Sequence, residues 1–580
     1  MKKGLAVSPG IGIGRAYIIR EPEITIDKGI ISQEQVQGEL DRLSRALDCS
    51  RNQVDAIYQS AVNRGEKAKA EVLEAHVLML DDPMLVEQAI EKIRTFKLKS
   101  EYAFSLVIDE QIEIFKSIED PYIRERINDV RDIGSRVVKN LTGVIIKDIA
   151  SINEEVILVG KEITPSQMAA ADSRFVKGIA SEVGGATSHT AILARSGGIP
   201  AVMGVQDIAE LVEDGQQIAV DGTLGAVELE LNEEKLLLLR EKMLRAQKIE
   251  EELSRIKDLP AVTKDGHAVR LECNIEGTAG IKKALEAGAE GIGLFRTEFL
   301  FMDRSKMPNE EEQFRVYREV ASDMGGRPVI IRTLDIGGDK EIEYLKLPAE
   351  ANPFLGFRAI RLCFERIEMF RAQLRAILRA SVYGKVKIMY PMIATVDELR
   401  RANNILNELK RELESENKDF DKGIEVGVMI EIPAAAVIAD VLAKETDFFS
   451  IGTNDLTQYT LAVDRTNEKV SYLYNNFDPS VIRLISTVIK AGHEKGRPVG
   501  MCGELAGNPT AALLLLGLGL DEFSMSPTMV LKIKKIINTV DMNSAREASK
   551  AVLAMESALQ IEEYLAEKNK ELGLEYLIGI

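Results

Sequence analysis

Several reactive side chains recur where short apolar runs end in the C-terminal half of this sequence. Arg296 follows Gly293-Leu294-Phe295, Arg332 and Asp335 flank Thr333-Leu334, and Glu431 follows Met429-Ile430. Asn454 and Asp455 come after Gly452-Thr453, Arg465 follows ten residues on from Asp455, and Cys502 comes after Gly500-Met501. Three guanidinium groups in one place match the geometry of a phosphate and a carboxylate. Two carboxylates, Glu431 and Asp455, suit Mg²⁺, which takes few protein ligands and completes its shell with substrate and water. Cys502 is a candidate proton donor beside those arginines. A small substrate with two or three negative charges is implied. Singly, each residue has a commonplace reading: an arginine forms a salt bridge, a buried cysteine fills a small core position, a carboxylate pairs with an arginine. The chemistry rests on their meeting at one rim.

A nucleophile stands elsewhere in the chain. His189 lies in Gly184-Gly185-Ala186-Thr187-Ser188-His189-Thr190-Ala191. Thr187 or Ser188 can cap the helix that follows, which puts His189 in its first turn. There the free N–H groups and the helix dipole favour negative charge. A neutral imidazole that receives a phosphoryl group suits such a position, with the ring nitrogen as nucleophile and the amides stabilising the transferred group.

The elements that must position these groups fall into distinct stretches. Eight apolar runs occupy Val269–Cys273, Gly291–Phe295, Val329–Leu334, Val386–Tyr390, Val426–Glu431, Phe448–Ile451, Val499–Cys502 and Glu522–Met525, with helical segments between. Eight strand-then-helix units in residues 261–580 predict a (β/α)₈ barrel, whose active site lies at the C-terminal ends of its strands. Residues 32–143 read as about four helices, with a capping box at Ser32 and Gln35 and N-cap-then-proline starts at Asp82-Pro83 and Asp120-Pro121. Glu66, Lys67, Lys69 and Glu71 give that region a charged flank. Strand patterns in residues 144–230 predict a small α/β domain that takes residues 1–22 into its sheet. Between it and the barrel, residues 231–260 form one charged helix, capped by Asn232, with a single apolar stripe from Leu236 to Ile256. The multidomain α/β architecture is thus a histidine-bearing α/β domain with a helical insert, a linker helix and a barrel.

Composition excludes several other classes. A net charge of −18 with no basic stripe opposes nucleic-acid binding. No apolar stretch reaches the roughly 20 residues that cross a bilayer, so no membrane insertion is expected. Cys49, Cys273, Cys363 and Cys502 lie far apart, which argues against a zinc site or disulfide scaffold and suits a reducing cytoplasm.

With these motifs in hand, the sequence resembles the Enzyme I family of the bacterial sugar phosphotransferase system, the phosphoenolpyruvate–protein phosphotransferases. The resemblance runs nearly end to end. It is carried by Ser8-Pro9-Gly10, Gly184-Gly185-Ala186-Thr187-Ser188-His189, Asp335-Ile336-Gly337-Gly338-Asp339-Lys340, Gly452-Thr453-Asn454-Asp455-Leu456 and Met501-Cys502-Gly503-Glu504. It implies that His189 is phosphorylated on Nε2 by phosphoenolpyruvate and that Arg296, Arg332, Asn454, Asp455 and Arg465 bind that substrate, with Arg358 as a further candidate. It implies Mg²⁺ on Glu431 and Asp455, and Cys502 as the acid that protonates the enolate to pyruvate. It implies that the α/β domain swivels, that the helical insert near His76 docks the phosphocarrier HPr, and that the barrels form a homodimer. Pyruvate phosphate dikinase and phosphoenolpyruvate synthase share the histidine domain and barrel but carry a large ATP-binding domain. Here no GxxxxGK[ST] loop occurs, and residues 32–143 are too few for that fold.

Overall fold

The apolar runs pair with one another in the computed structural model, which describes residues 1–580 except 21–24, 64–65, 117–120, 145–148, 150–151, 186–187, 303, 305, 338–341, 349, 468 and 579–580. The chain divides into two units, Met1–Gln247 and Lys248–Ile580.

The first unit is built on an eight-stranded mixed sheet. Its strands are β1 (Lys2–Lys3), β2 (Leu5–Ser8), β3 (Ile11–Ile19), β4 (Val156–Gly160), β5 (Val176–Ser181), β6 (Ala201–Met203), β7 (Gln217–Asp221) and β8 (Ala226–Glu228), in the spatial order β1-β8-β7-β3-β4-β5-β6-β2. The N-terminal β3 lies mid-sheet. It runs parallel to β4, with Arg15 opposite Val156, and antiparallel to β7, with Ile11 opposite Asp221. Between β3 and β4 the chain makes five helices: α1 (Val36–Asn63), α2 (Lys67–Leu80), α3 (Pro83–Phe96), α4 (Ser100–Lys116) and α5 (Pro121–Thr142). The sequence pattern suggests about four. One of the breaks lies between Asn63 and Lys67. Asp82 caps α3 by accepting from the Met84 N–H at 2.9 Å, and Pro83 occupies the first turn. Asp120 lies outside the described residues. The helices and one face of the sheet share a core that includes Leu43, Phe104, Val107, Leu158 and Ile179.

Three further helices complete the sheet layer: α6 (Pro165–Ala170), α7 (His189–Ser196) and α8 (Ile208–Leu211). Then α9 (Glu233–Arg255) leads out, with the Asn232 side chain accepting from the Lys235 N–H at 2.8 Å. Of its apolar stripe, Ile249 and Leu253 are buried in the second unit's core, whereas Met243 is exposed.

The second unit closes eight parallel strands into a barrel: β9 (Arg270–Glu276), β10 (Ile292–Arg296), β11 (Val329–Arg332), β12 (Val386–Tyr390), β13 (Val426–Ile430), β14 (Phe448–Ile451), β15 (Val499–Met501) and β16 (Glu522–Met525), with β16 pairing back to β9. Each expected run overlaps its strand, with ends that differ by at most three residues. Glu431 and Cys502 are the first residues past β13 and β15. That puts both at the C-terminal rim.

The barrel interior changes character from side to side. Leu294, Ile330, Met389, Met429, Phe448 and Cys502 form an apolar cluster. On β9 and β16 the inward positions are polar: Glu272 and Glu522 are both buried, and Arg270 donates to Glu522 at 2.8 Å. Burial, then the charge of Glu522, pushes the Glu272 carboxyl well above its usual range, and burial raises Glu522 as well. Among the described residues no helix is long and apolar enough to cross a membrane.

Candidate active site

At the C-terminal rim of the barrel, buried charges form a continuous chain. Arg332, the last residue of β11, is 7% exposed. It reaches Glu298 on one side and Asp335 at 2.9 Å on the other. Asp335 also accepts from Arg358 at 2.8 Å, and Arg358 lies 3.3 Å from Asp455. Arg465 approaches the second Asp455 oxygen at 3.7 Å. The commonplace pairing of arginine with carboxylate is therefore present, but it does not use all the donors. Arg332 Nε, Arg358 Nε and Arg465 Nη1 are buried with no hydrogen-bond partner in the described structure. Buried guanidinium donors left unused along one chain of charges are suited to an anion with several oxygens.

Local backbone explains how these groups meet. Gly337 has φ +113°, and a Cβ there would stand 2.4 Å from the Arg358 Cβ. The turn after Asp335 thus packs directly on the segment carrying Arg358. Ala359 next to it holds φ 51° and ψ −124°, an unusual conformation for a residue with a side chain, and its N–H bonds to the Ile336 carbonyl at 3.0 Å. Asp455 sits in the first turn of the helix Thr453–Leu461, which begins right after β14.

Glu431 is 2% exposed and accepts from the Met392 N–H at 2.6 Å. Burial first, then the charges of Asp455 and Asp335, pushes its carboxyl up to about 8 against the pull of Arg332 and Arg358. A divalent cation between Glu431 and Asp455 would relieve that repulsion. Among the described residues no cluster of three or more His, Cys, Asp and Glu side chains is arranged to hold a metal. A two-carboxylate donor set fits Mg²⁺, which keeps several waters and takes substrate oxygens.

Cys502 lies 4% exposed beside this charged chain. Its N–H donates to the Ile451 carbonyl at 3.1 Å. Burial pushes the thiol up to about 11, with the charge of Arg332 opposing, so it stays protonated near neutral pH. The next residue, Gly503, admits no side chain: its Cβ would fall 1.9 Å from Thr453 Oγ1. Asn454 ties the same loop down, donating to Glu504 Oε1 and accepting from the Glu504 N–H, both at 3.0 Å. Arg296 ends β10 and pairs with Glu276, outside the Arg332–Arg465 chain, yet its charge reaches Cys502.

The first unit holds the nucleophile candidate. His189 opens α7 behind the N-cap Ser188, whose hydroxyl accepts from the Ala191 N–H at 3.2 Å. The His189 side chain, Thr187 as the other cap candidate, and Gly338-Asp339-Lys340 of the barrel motif lie outside the described residues. In the helical insert, His76 is buried, with Nε2 3.4 Å from Asp129. Lys69 departs from the expected charged flank. It is 2% exposed and donates to the Ala171 carbonyl at 2.6 Å, because its stem packs in the helix core while its head finds a backbone acceptor.

Glu298, Met392, Tyr459 and Asn274 take part in the rim without standing out in the sequence. Tyr459 meets Arg358 at 3.2 Å. Asn274 donates to the Cys502 carbonyl at 2.8 Å, and its place one residue beyond the run Val269–Cys273 is its one signal in the sequence.

Known proteins resemble this chain throughout. The PEP-binding domain of PEP-utilising enzymes matches residues 250–542, their N-terminal domain residues 3–126 and their mobile domain residues 152–225. Relatives named phosphoenolpyruvate-protein phosphotransferase include those of Haemophilus influenzae, 45% identical over 98% of this chain and 99% of that protein, and Priestia megaterium, 46% identical over 97% and 98%. The protein of that name from Geobacillus stearothermophilus is 47% identical over 96% of each chain.

Proposed function

This chain belongs to the phosphoenolpyruvate-protein phosphotransferase family, and on that premise we propose that it moves the phosphoryl group of phosphoenolpyruvate onto its own His189, releases pyruvate, and hands the group to HPr. The observation that carries the reading is the rim itself: Arg332, Arg358 and Arg465 keep buried donors unused beside two carboxylates and a protonated thiol. Phosphoenolpyruvate has a phosphate and a carboxylate for those donors and an enol carbon that needs a proton.

Arg332, Arg358 and Arg465, with Arg296 and Asn454, bind and orient the substrate. Glu431 and Asp455 would hold Mg²⁺, which would supply neutralising charge for the substrate's phosphate and the developing enolate. The imidazole of His189 attacks phosphorus, the bond from phosphorus to the enol oxygen breaks, and Cys502 delivers its proton to the enol carbon. His189 and the rim lie on separate units, so the units must meet for the first step, and the histidine must then reach HPr docked on the helical insert. We place the reaction in the cytoplasm, in a homodimer joined through the barrels.

The test uses the full chain, phosphoenolpyruvate and MgCl₂. Mass spectrometry should find one acid-labile phosphoryl adduct on His189, absent in His189→Ala and abolished by a chelator. Labelling that persists in His189→Ala would overturn the assignment. Labelling indifferent to the chelator would remove the metal from it.

A further inference from the structure

The residue that holds the proton donor stands on the opposite side of the barrel's last strand. β16 separates β15, which leads to Cys502, from β9, which carries Asn274. The Asn274 side chain spans this gap along the inside of the barrel. Its Nδ2 donates to the Cys502 carbonyl at 2.8 Å, and its Oδ1 accepts from the Ser524 hydroxyl at 2.6 Å. The chemistry leaves no choice of amide orientation. A carbonyl can only accept, so the nitrogen of Asn274 must face Cys502, and the hydroxyl of Ser524 then supplies the proton to its oxygen. Both partners of the amide are thereby used, on strands whose register is fixed by Ser524 opposite Glu272.

Cys502 is consequently pinned at both ends of its own residue: the Ile451 carbonyl takes its N–H and Asn274 holds its carbonyl. The Sγ itself has a long contact, 4.0 Å to the Ile451 carbonyl, and meets the Ser450 side chain, whereas both backbone groups of the residue are held by direct hydrogen bonds. The thiol's placement is therefore set through the backbone. Glu272 and Glu522, one inward position below Asn274 and Ser524, are buried.

We propose that Asn274, oriented by Ser524, is a positioning residue for the reaction: by clamping the peptide that carries Cys502 it aims the thiol at the enol carbon. The inference rests on Cys502 being the acid. The step it serves breaks the S–H bond, forms the C–H bond of the pyruvate methyl group and leaves a thiolate that regains its proton from solvent. A displacement of about 1 Å at such a centre can cost about a hundredfold in rate.

The test is single-turnover kinetics of the full chain with phosphoenolpyruvate and MgCl₂, following phosphohistidine and pyruvate separately in H₂O and D₂O. In the native chain the two products appear together. In Asn274→Ala, pyruvate should trail phosphohistidine by about tenfold to a hundredfold, with a larger D₂O effect on pyruvate and an unchanged KM for phosphoenolpyruvate. Ser524→Ala should shift in the same direction by less, and Ser524→Thr, which keeps the hydroxyl, should restore the native pattern. A parallel slowing of both products in Asn274→Ala, or Ser524→Thr behaving as Ser524→Ala, would overturn the proposal in favour of a general packing role. Cys502→Ala is run alongside: native pyruvate formation in that variant would instead sink the assignment of the acid.

Discussion

Arg332 shows how one side chain serves both the barrel and its chemistry. Its guanidinium lies between Glu298 and Asp335, almost wholly out of water, and burial of an ion pair is tolerated only while the partners stay together. Removing one member of such a buried pair costs about 3–5 kcal/mol. Arg332→Ala should therefore lower the thermal midpoint and abolish labelling of His189, read by calorimetry and by mass. Arg332→Lys should recover part of the stability but little labelling, because a single ammonium cannot bridge two carboxylates and still face a phosphate. If the Lys variant labels normally, the forked geometry is irrelevant. Arg332, Glu431, Asp455 and Cys502 were legible in the sequence because a strand's end is where its apolar run stops, and the barrel fold gives that point a meaning. Glu298, Met392 and Tyr459 were not, since a loop backbone or a helix position has no period that marks which residue turns inward.

At the scale of elements, the loop after β15 is held by contact rather than by hydrogen bonds alone. Gly503 leaves no room for a methyl group against Thr453. Gly503→Ala must push the loop off the first turn of the helix Thr453–Leu461, an overpacking that costs about 1–3 kcal/mol. Because Cys502 is the neighbour, the damage should fall on kcat more than on KM, which steady-state assays of pyruvate release will resolve. Equal effects on both constants would count against it. The strands themselves were readable to within a few residues, since alternation of eight apolar runs with helical stretches admits few folds. The helical insert was less so. A five-helix region read as about four because a short break such as that between Asn63 and Lys67 leaves little mark on the apolar period. Lys69 read as surface, since a lysine's burial is decided by tertiary contacts: here the carbonyl of Ala171, a hundred residues away.

Across the whole chain, the division into two units with their own cores puts the candidate nucleophile and the anion site on different bodies. The sequence could say this much, because His189 and the strand ends belong to patterns of different period. It could not reveal the raised carboxyls inside the barrel, which depend on two glutamates 250 residues apart meeting across β9 and β16. Glu272 ionises in the unfolded chain near 4.5 but at a much higher pH in the fold. The folded state therefore binds more protons above 4.5, and stability should fall as pH rises from there through the folded value. Glu272→Gln, which needs no proton, should flatten that decline in thermal midpoints measured from pH 5 to 9. An unchanged slope would show that the pair is not responsible.

The same pair makes acquiring the native shape an alkalising event. Because its carboxyl ionises at a higher pH in the fold than in the denatured chain, refolding above pH 4.5 draws hydrogen ion onto Glu272 from the surrounding liquid. Weakly buffered refolding, followed with a dye indicator, should therefore consume more hydrogen ion in the natural sequence than in the glutamine variant.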